Sequence, residues 1–270
     1  MARLLHSACR TLFFRTDQSI TSMSGAAIRG RIQPISSRRS AAMHTVPRTI
    51  RLAQDSTARV EAFEQLDAVA EQTAELIRNG VIGLSGGSTY RSLFPLWAAR
   101  RPDCSAARFF PVDERLVPFD DPASNWHMAY ELLLQPLGRE ADKAHFPASA
   151  AMYTELLQRE LGANPRFDTV FLGAGRDGHT ASLFPGGAYL ADDDSIALET
   201  QSPQPPVRRV TLGPGVLGHA RRLIAVVSGA GKQDVATGLL RADTALPLVS
   251  VLARHPSPLV YLDAALIQNP

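Results

Sequence analysis

Apolar residues recur along the chain in short runs separated by stretches of helical periodicity. From Val60 to Ile77 they fall at Val60, Phe63, Leu66, Val69, Ala70, Thr73, Ala74 and Ile77. Steps of three and four put these on one helical face, and Asn79-Gly80 supplies the stop. Val81-Ile82-Gly83-Leu84 then reads as a buried strand, Ser85-Gly86-Gly87-Ser88-Thr89 as a turn, and Tyr90 to Ala99 as a helix. Arg108 to Val112, Thr169 to Leu172, Leu223 to Val227 and Leu259 to Leu262 are further apolar strands. Helices are expected at Asn125 to Leu134, halted by Pro136, and at Met152 to Leu161, halted by Gly162. Another follows Gly229-Ala230-Gly231 and runs to about Leu240. Ser195 to Thr200 and Arg209 to Leu212 have strand character.

Short apolar strands alternating with helices predict a mostly parallel sheet covered on both faces. The expected fold is one α/β domain with three αβα layers and a doubly wound, Rossmann-like sheet over residues 50–270. Ligands of such sheets bind beyond the carboxyl ends of the strands. Four turns fall there: 85–89, 113–115, 173–179 and 228–232.

Charge separates the beginning of the chain from the rest. Residues 1–50 carry eight arginines against the single acid Asp17, although the whole chain is only +2. Residues 1–45 therefore read as a leader outside the fold: an inert tail, a transit-like segment, or sequence upstream of a later start at Met23 or Met43. The body is mildly acidic, which argues against a nucleic-acid surface. No apolar run approaches the ~18 residues that span a bilayer. Cys9 and Cys104 are the two cysteines, so the body has one thiol and cannot form an internal disulfide. The expectation is a cytoplasmic protein, or a mitochondrial one if the leader is a transit peptide.

The turns carry the chemistry. Ser85-Gly86-Gly87-Ser88-Thr89 joins a strand to a helix and offers free N–H groups and hydroxyls to an anion. The stretch also matches G-x-S-x-G, with Ser85 as a nucleophile. However, it follows the first strand of the domain, where a hydrolase elbow comes later. Asp113-Glu114-Arg115 puts three charges at a strand end, with Arg115 able to grip a phosphate and Asp113 to meet hydroxyls or water. Gly173, Gly175 and Gly178 satisfy G-x-G-x-x-G, but Pro185 arrives too soon for a dinucleotide-binding helix. That loop holds His179, a candidate general base, with Asp177 two residues away. Lys232, one of two lysines in an arginine-rich chain, lies in the fourth turn.

Four ordered motifs resemble the 6-phosphogluconolactonase family: Leu84-Ser85-Gly86-Gly87-Ser88-Thr89, Phe110 to Arg115 with Ser124-Asn125 downstream, Leu172 to Gly186, and Arg209-Val210-Thr211-Leu212 leading to Gly231-Lys232. The glucosamine-6-phosphate deaminases are similar in fold. They carry Asp-Glu-Tyr where this chain has Asp113-Glu114-Arg115, and Ile-Ala-Phe-Asn-Glu-Pro where it has Thr180 to Pro185. The resemblance implies hydrolysis of 6-phospho-D-glucono-1,5-lactone without metal or organic cofactor. The partner implied is a small phosphosugar lactone, not nucleic acid or membrane, in a monomer or weak homo-oligomer. It implies His179, Asp177 and Asp113 as catalytic residues. Gly86, Gly87, Ser88, Thr89, Arg115, Arg209 and Lys232 are the expected substrate and phosphate contacts. A deaminase-like enzyme and a non-catalytic sugar-phosphate sensor are the alternatives.

Overall fold

The computed structural model describes residues 48–191 and 194–267; the leader expected at 1–45 lies outside them. The strands are β1 (Arg48–Ala53), β2 (Ser56–Phe63), β3 (Asn79–Leu84), β4 (Ala106–Pro111), β5 (Asp113–Arg115), β6 (Thr169–Leu172), β7 (Ala197–Gln201), β8 (Arg208–Leu212), β9 (Arg222–Val227) and β10 (Leu259–Asp263). The α-helices are α1 (Leu66–Thr73), α2 (Gly87–Ala99), α3 (Asn125–Ala129), α4 (Ala150–Leu161), α5 (Pro214–Gly218), α6 (Gln233–Leu240) and α7 (Pro247–Leu252).

Seven strands form one sheet in the order β1-β2-β10-β9-β6-β3-β4, parallel except for β1. Alternate residues of each strand feed opposite layers. Phe109 faces the layer that holds Val69, Phe94 and Trp97, whereas Phe110 faces the layer that holds Tyr153, Leu157 and Leu239. In the same way Phe171 stacks towards Trp97, with ring centroids 4.9 Å apart, while Val170 and Leu172 pack on the other side. In the layer around Trp97 a buried polar pair is satisfied internally. Trp97 Nε1 donates to Thr73 Oγ1 at 2.9 Å, and that hydroxyl donates to the Val69 carbonyl at 2.6 Å. No helix among the described residues is long and apolar enough to cross a membrane.

The chain leaves β3 towards β4 on one side and returns to β6 on the other. That reversal makes the β3/β6 crevice the topological switch point, where α/β sheets bind ligands.

Three expectations change. The helix expected from Val60 is strand to Phe63 and helix only from Leu66. Val60 to Phe63 are all buried, because β2 lies between β1 and β10 and its end is covered on both faces, so strand alternation is lost. The helix expected from Asn125 to Leu134 is α-helical only to Ala129, continues as a π-turn over Tyr130–Leu134, and ends through a 3-10 turn at Gly138. Asp113 to Arg115, expected as a turn, is strand β5 of a second, antiparallel sheet ordered β5-β8-β7.

Candidate active site

A cleft of about 480 Å³ opens at the carboxyl ends of β3, β6 and β9. The first turn supplies Gly86, Gly87, Ser88 and Thr89; the others supply Asp113, Arg115, His179 and Lys232. A second chamber of about 650 Å³ adjoins it and shares Asp113, Arg115, Arg176, His179 and Ala181 as a common wall. Asp177 and Arg209 line only this second chamber. The expected site residues thus surround two connected spaces, and Arg209 is separated from the first turn and Lys232.

One end of the cleft gathers groups that can hold an anion. Helices α3 and α4 close their first turns with Ser124 and Ser149 side chains, the usual way to satisfy orphan N–H groups. Helices α2 and α6 have no side-chain cap, and both begin at the cleft. Their free N–H groups and partial positive charge face the same space. Gly87 starts α2 with φ +85, a left-handed conformation that a side chain would strain. Lys232 is buried, its Nζ reaching Thr89 Oγ1 at 3.4 Å, and that hydroxyl lies 3.1 Å from Ser228 Oγ. Burial, and then the charge of Arg176, hold the Lys232 pKa below the ordinary lysine value.

This depression has a measurable consequence. The charged ammonium is the form that binds an anion, and it is lost as pH rises through the lowered pKa. Above about pH 8 inorganic phosphate is already a dianion. Its affinity is therefore expected to decline further with pH, earlier than an ordinary lysine would allow. Calorimetric titration with phosphate checks this, and Lys232→Arg, which stays charged, should flatten the decline. A decline unchanged in Lys232→Arg would remove Lys232 from the anion site.

The other end holds His179. The loop after β6 is folded back on itself: Gly175 N donates to the His179 carbonyl at 2.8 Å, and Gly178 N to the Gly175 carbonyl at 3.2 Å. Leu248 N, in α7, donates to the Gly178 carbonyl at 3.1 Å and ties the loop to the helix layer. His179 Nδ1 lies 2.6 Å from Asp177 Oδ1, and the ring packs on Phe184. A Cβ at position 175 would lie 2.1 Å from the imidazole, so only glycine lets the ring sit there. The carboxylate draws the proton to Nδ1 and leaves Nε2 as an acceptor. Asp113, the other acid expected near the base, instead accepts the Ser182 hydroxyl at 2.7 Å.

Glu114 organises the wall between the chambers. It is fully buried and accepts four donors: Arg115 N, Asn125 N, Trp126 N and Ser124 Oγ, at 2.6–2.8 Å. Burial pushes its pKa up, and the four donors pull the other way. The same contacts fix the start of α3 and the backbone of Arg115. The sequence reading had assigned no role to Glu114, Arg176, Asn125 or Ser182. Arg176 had a visible signal, a cation between Gly175 and Asp177 in the glycine-rich loop.

Comparison with known proteins fits this geometry. The family described as "Glucosamine-6-phosphate isomerases/6-phosphogluconolactonase" matches residues 54–260. A 6-phosphogluconolactonase of Rattus norvegicus is 35% identical over 217 residues, 73% of this chain and 84% of that protein. One of Treponema pallidum is 35% identical over 168 residues, 57% of this chain and 69% of that protein. The solved 6-phosphogluconolactonase of Trypanosoma brucei superposes with a TM-score of 0.63 at 28% identity, covering 78% of this chain and 97% of that one. With matches of this extent, the chain belongs to the glucosamine-6-phosphate isomerase/6-phosphogluconolactonase family.

Proposed function

We propose that the cleft hydrolyses 6-phospho-D-glucono-1,5-lactone to 6-phospho-D-gluconate, a step of the oxidative pentose phosphate pathway. The Asp177–His179 pair, standing between an anion-binding end and an arginine-lined chamber, carries this reading. The phosphate sits against the N-termini of α2 and α6, contacted by Gly86, Gly87, Ser88, Thr89 and Lys232, with Arg115 reaching from the wall. Binding energy at that remote group positions the lactone carbonyl beside His179. His179 Nε2 takes a proton from water as its oxygen bonds to C1. Asp177 holds the ring and stabilises the imidazolium. The tetrahedral oxyanion then collapses, the bond from C1 to the ring oxygen breaks, and the imidazolium returns its proton to that oxygen. Asp113, held by Ser182, lies on the wall where it can meet a substrate hydroxyl.

Water, rather than a serine, is the nucleophile in this reading. Ser85 Oγ is buried without a hydrogen-bond partner, so no base is placed to activate it. Acid release from the lactone, corrected for its spontaneous opening, tests the activity. Ser85→Ala is expected to keep most of that rate. A folded but inactive Ser85→Ala enzyme would restore the covalent mechanism. We place the reaction in the cytoplasm, since a body with the single thiol Cys104 suits a reducing compartment. A single chain supplies every group named.

A further inference from the structure

Strands β5 and β8 pair antiparallel with Arg115 directly opposite Arg209. Directly opposed residues leave the same face of a sheet, and like charges in that register repel. The charges of Asp113 and Glu114 act against the repulsion but do not overcome it together with burial. Among the described residues neither guanidinium forms an ion pair with an acid. Asp113 shares their face, but its carboxylate accepts the Ser182 hydroxyl. Glu114 turns to the opposite face and is filled by its four donors. Arg115 gives one Nη to the Ala123 carbonyl, while its Nε and the Nε of Arg209 are buried with no hydrogen-bond partner. Arg209 is 7% exposed, and burial followed by the charge of Arg115 pushes its pKa down. Unpaired buried donors of this strength are costly, and the arrangement is suited to an anion that arrives and leaves.

Geometry separates Arg209 from the phosphate end, with Arg115 on the shared wall. The uncapped helix termini and Lys232 line the first chamber alone, Arg209 lines the second alone, and His179 stands on the wall between. A substrate with its phosphate at the first end and its reacting carbon at His179 therefore directs C1 towards Arg209. We propose that Arg209 is a carboxylate-binding pole that receives the C1 carboxylate of the ring-opened product. This rests on the phosphate and base assignments above. The lactone carbonyl is uncharged and the product is a carboxylate, so the pole favours the anion that develops at C1 over the bound ester.

Two ligands of equal length test it: 6-phosphogluconate, and glucitol 6-phosphate, which carries a CH₂OH in place of the carboxylate. The wild-type protein should bind the first at least about tenfold more tightly, the order expected for one charge-assisted pair. Arg209→Gln should lose that preference and leave glucitol 6-phosphate affinity unchanged. Arg209→Lys, retaining charge without the fork, should keep part of it. Equal affinities in the wild type, or parallel weakening of both ligands in Arg209→Gln, would overturn the proposal. The wild-type comparison decides even if Arg209→Gln does not fold. Competition by inorganic phosphate against both ligands tests the underlying reading separately. Its absence would sink the phosphate assignment, and the pole with it, whereas phosphate competition with equal affinities would sink the pole alone.

Discussion

Replacing His179 with alanine is expected to lower kcat/KM by roughly 10²–10⁴-fold, the usual share of a general base. That range corresponds to about 2.7–5.5 kcal/mol of transition-state stabilisation. Substrate affinity should change little, because the phosphate end of the cleft does not use the ring. Asp177→Asn should lose activity as well, since an amide does not hold the Nδ1–H tautomer as the carboxylate does at 2.6 Å. Initial rates, with the spontaneous reaction subtracted, give both results. Near-normal turnover in His179→Ala would remove the histidine from the chemistry.

Glu114→Ala is expected to cost about 3–5 kcal/mol of folding stability, the scale for deleting one side of a buried charged arrangement. Three backbone N–H groups and the Ser124 hydroxyl lose their acceptor at once, in a place water does not reach. Glu114→Gln should recover only part, because its NH₂ group faces donors. Urea midpoints at constant m-value measure the difference. A second readout follows from Arg115 N, one of the four donors: a folded Glu114→Gln should also bind phosphate more weakly. A stability loss below about 1 kcal/mol would show that α3 and β5 hold without this carboxylate.

The parallel strands β3, β4, β6, β9 and β10 were legible because each carries a short apolar run, whereas β2, also parallel, does not. Thr169–Leu172 is strand with the bounds read from the sequence, and Arg222–Val227 differs by one residue. Helix α4 was read from Met152 and begins at Ala150, one residue after its Ser149 cap. What failed were segments whose state is decided by distant partners. Asp113-Glu114-Arg115 has no strand signal of its own. It becomes β5 because β8 pairs with it and because the start of α3 satisfies Glu114. Val60 to Phe63 looked helical because its neighbours on both sides erase the alternation of a strand. At the site, the convergence of the four turns was legible, whereas individual contacts between distant side chains were not. Asp177 stands two residues from His179 and was a visible partner, whereas the Asp113–Ser182 bond and the Arg115–Arg209 opposition depend on cross-strand register.

The placement of β10 between β2 and β9 also governs how the protein is made. During synthesis the strands leave the ribosome in chain order, so β2 and β9 both emerge before the strand that joins them. Until Leu259–Asp263 is available, the β1–β2 hairpin has no neighbour in the sheet and β9 presents an open edge. Open apolar edges invite pairing with the wrong chain. A nascent chain paused before β10 is therefore the form most in need of a chaperone, and the sheet is closed by one short strand.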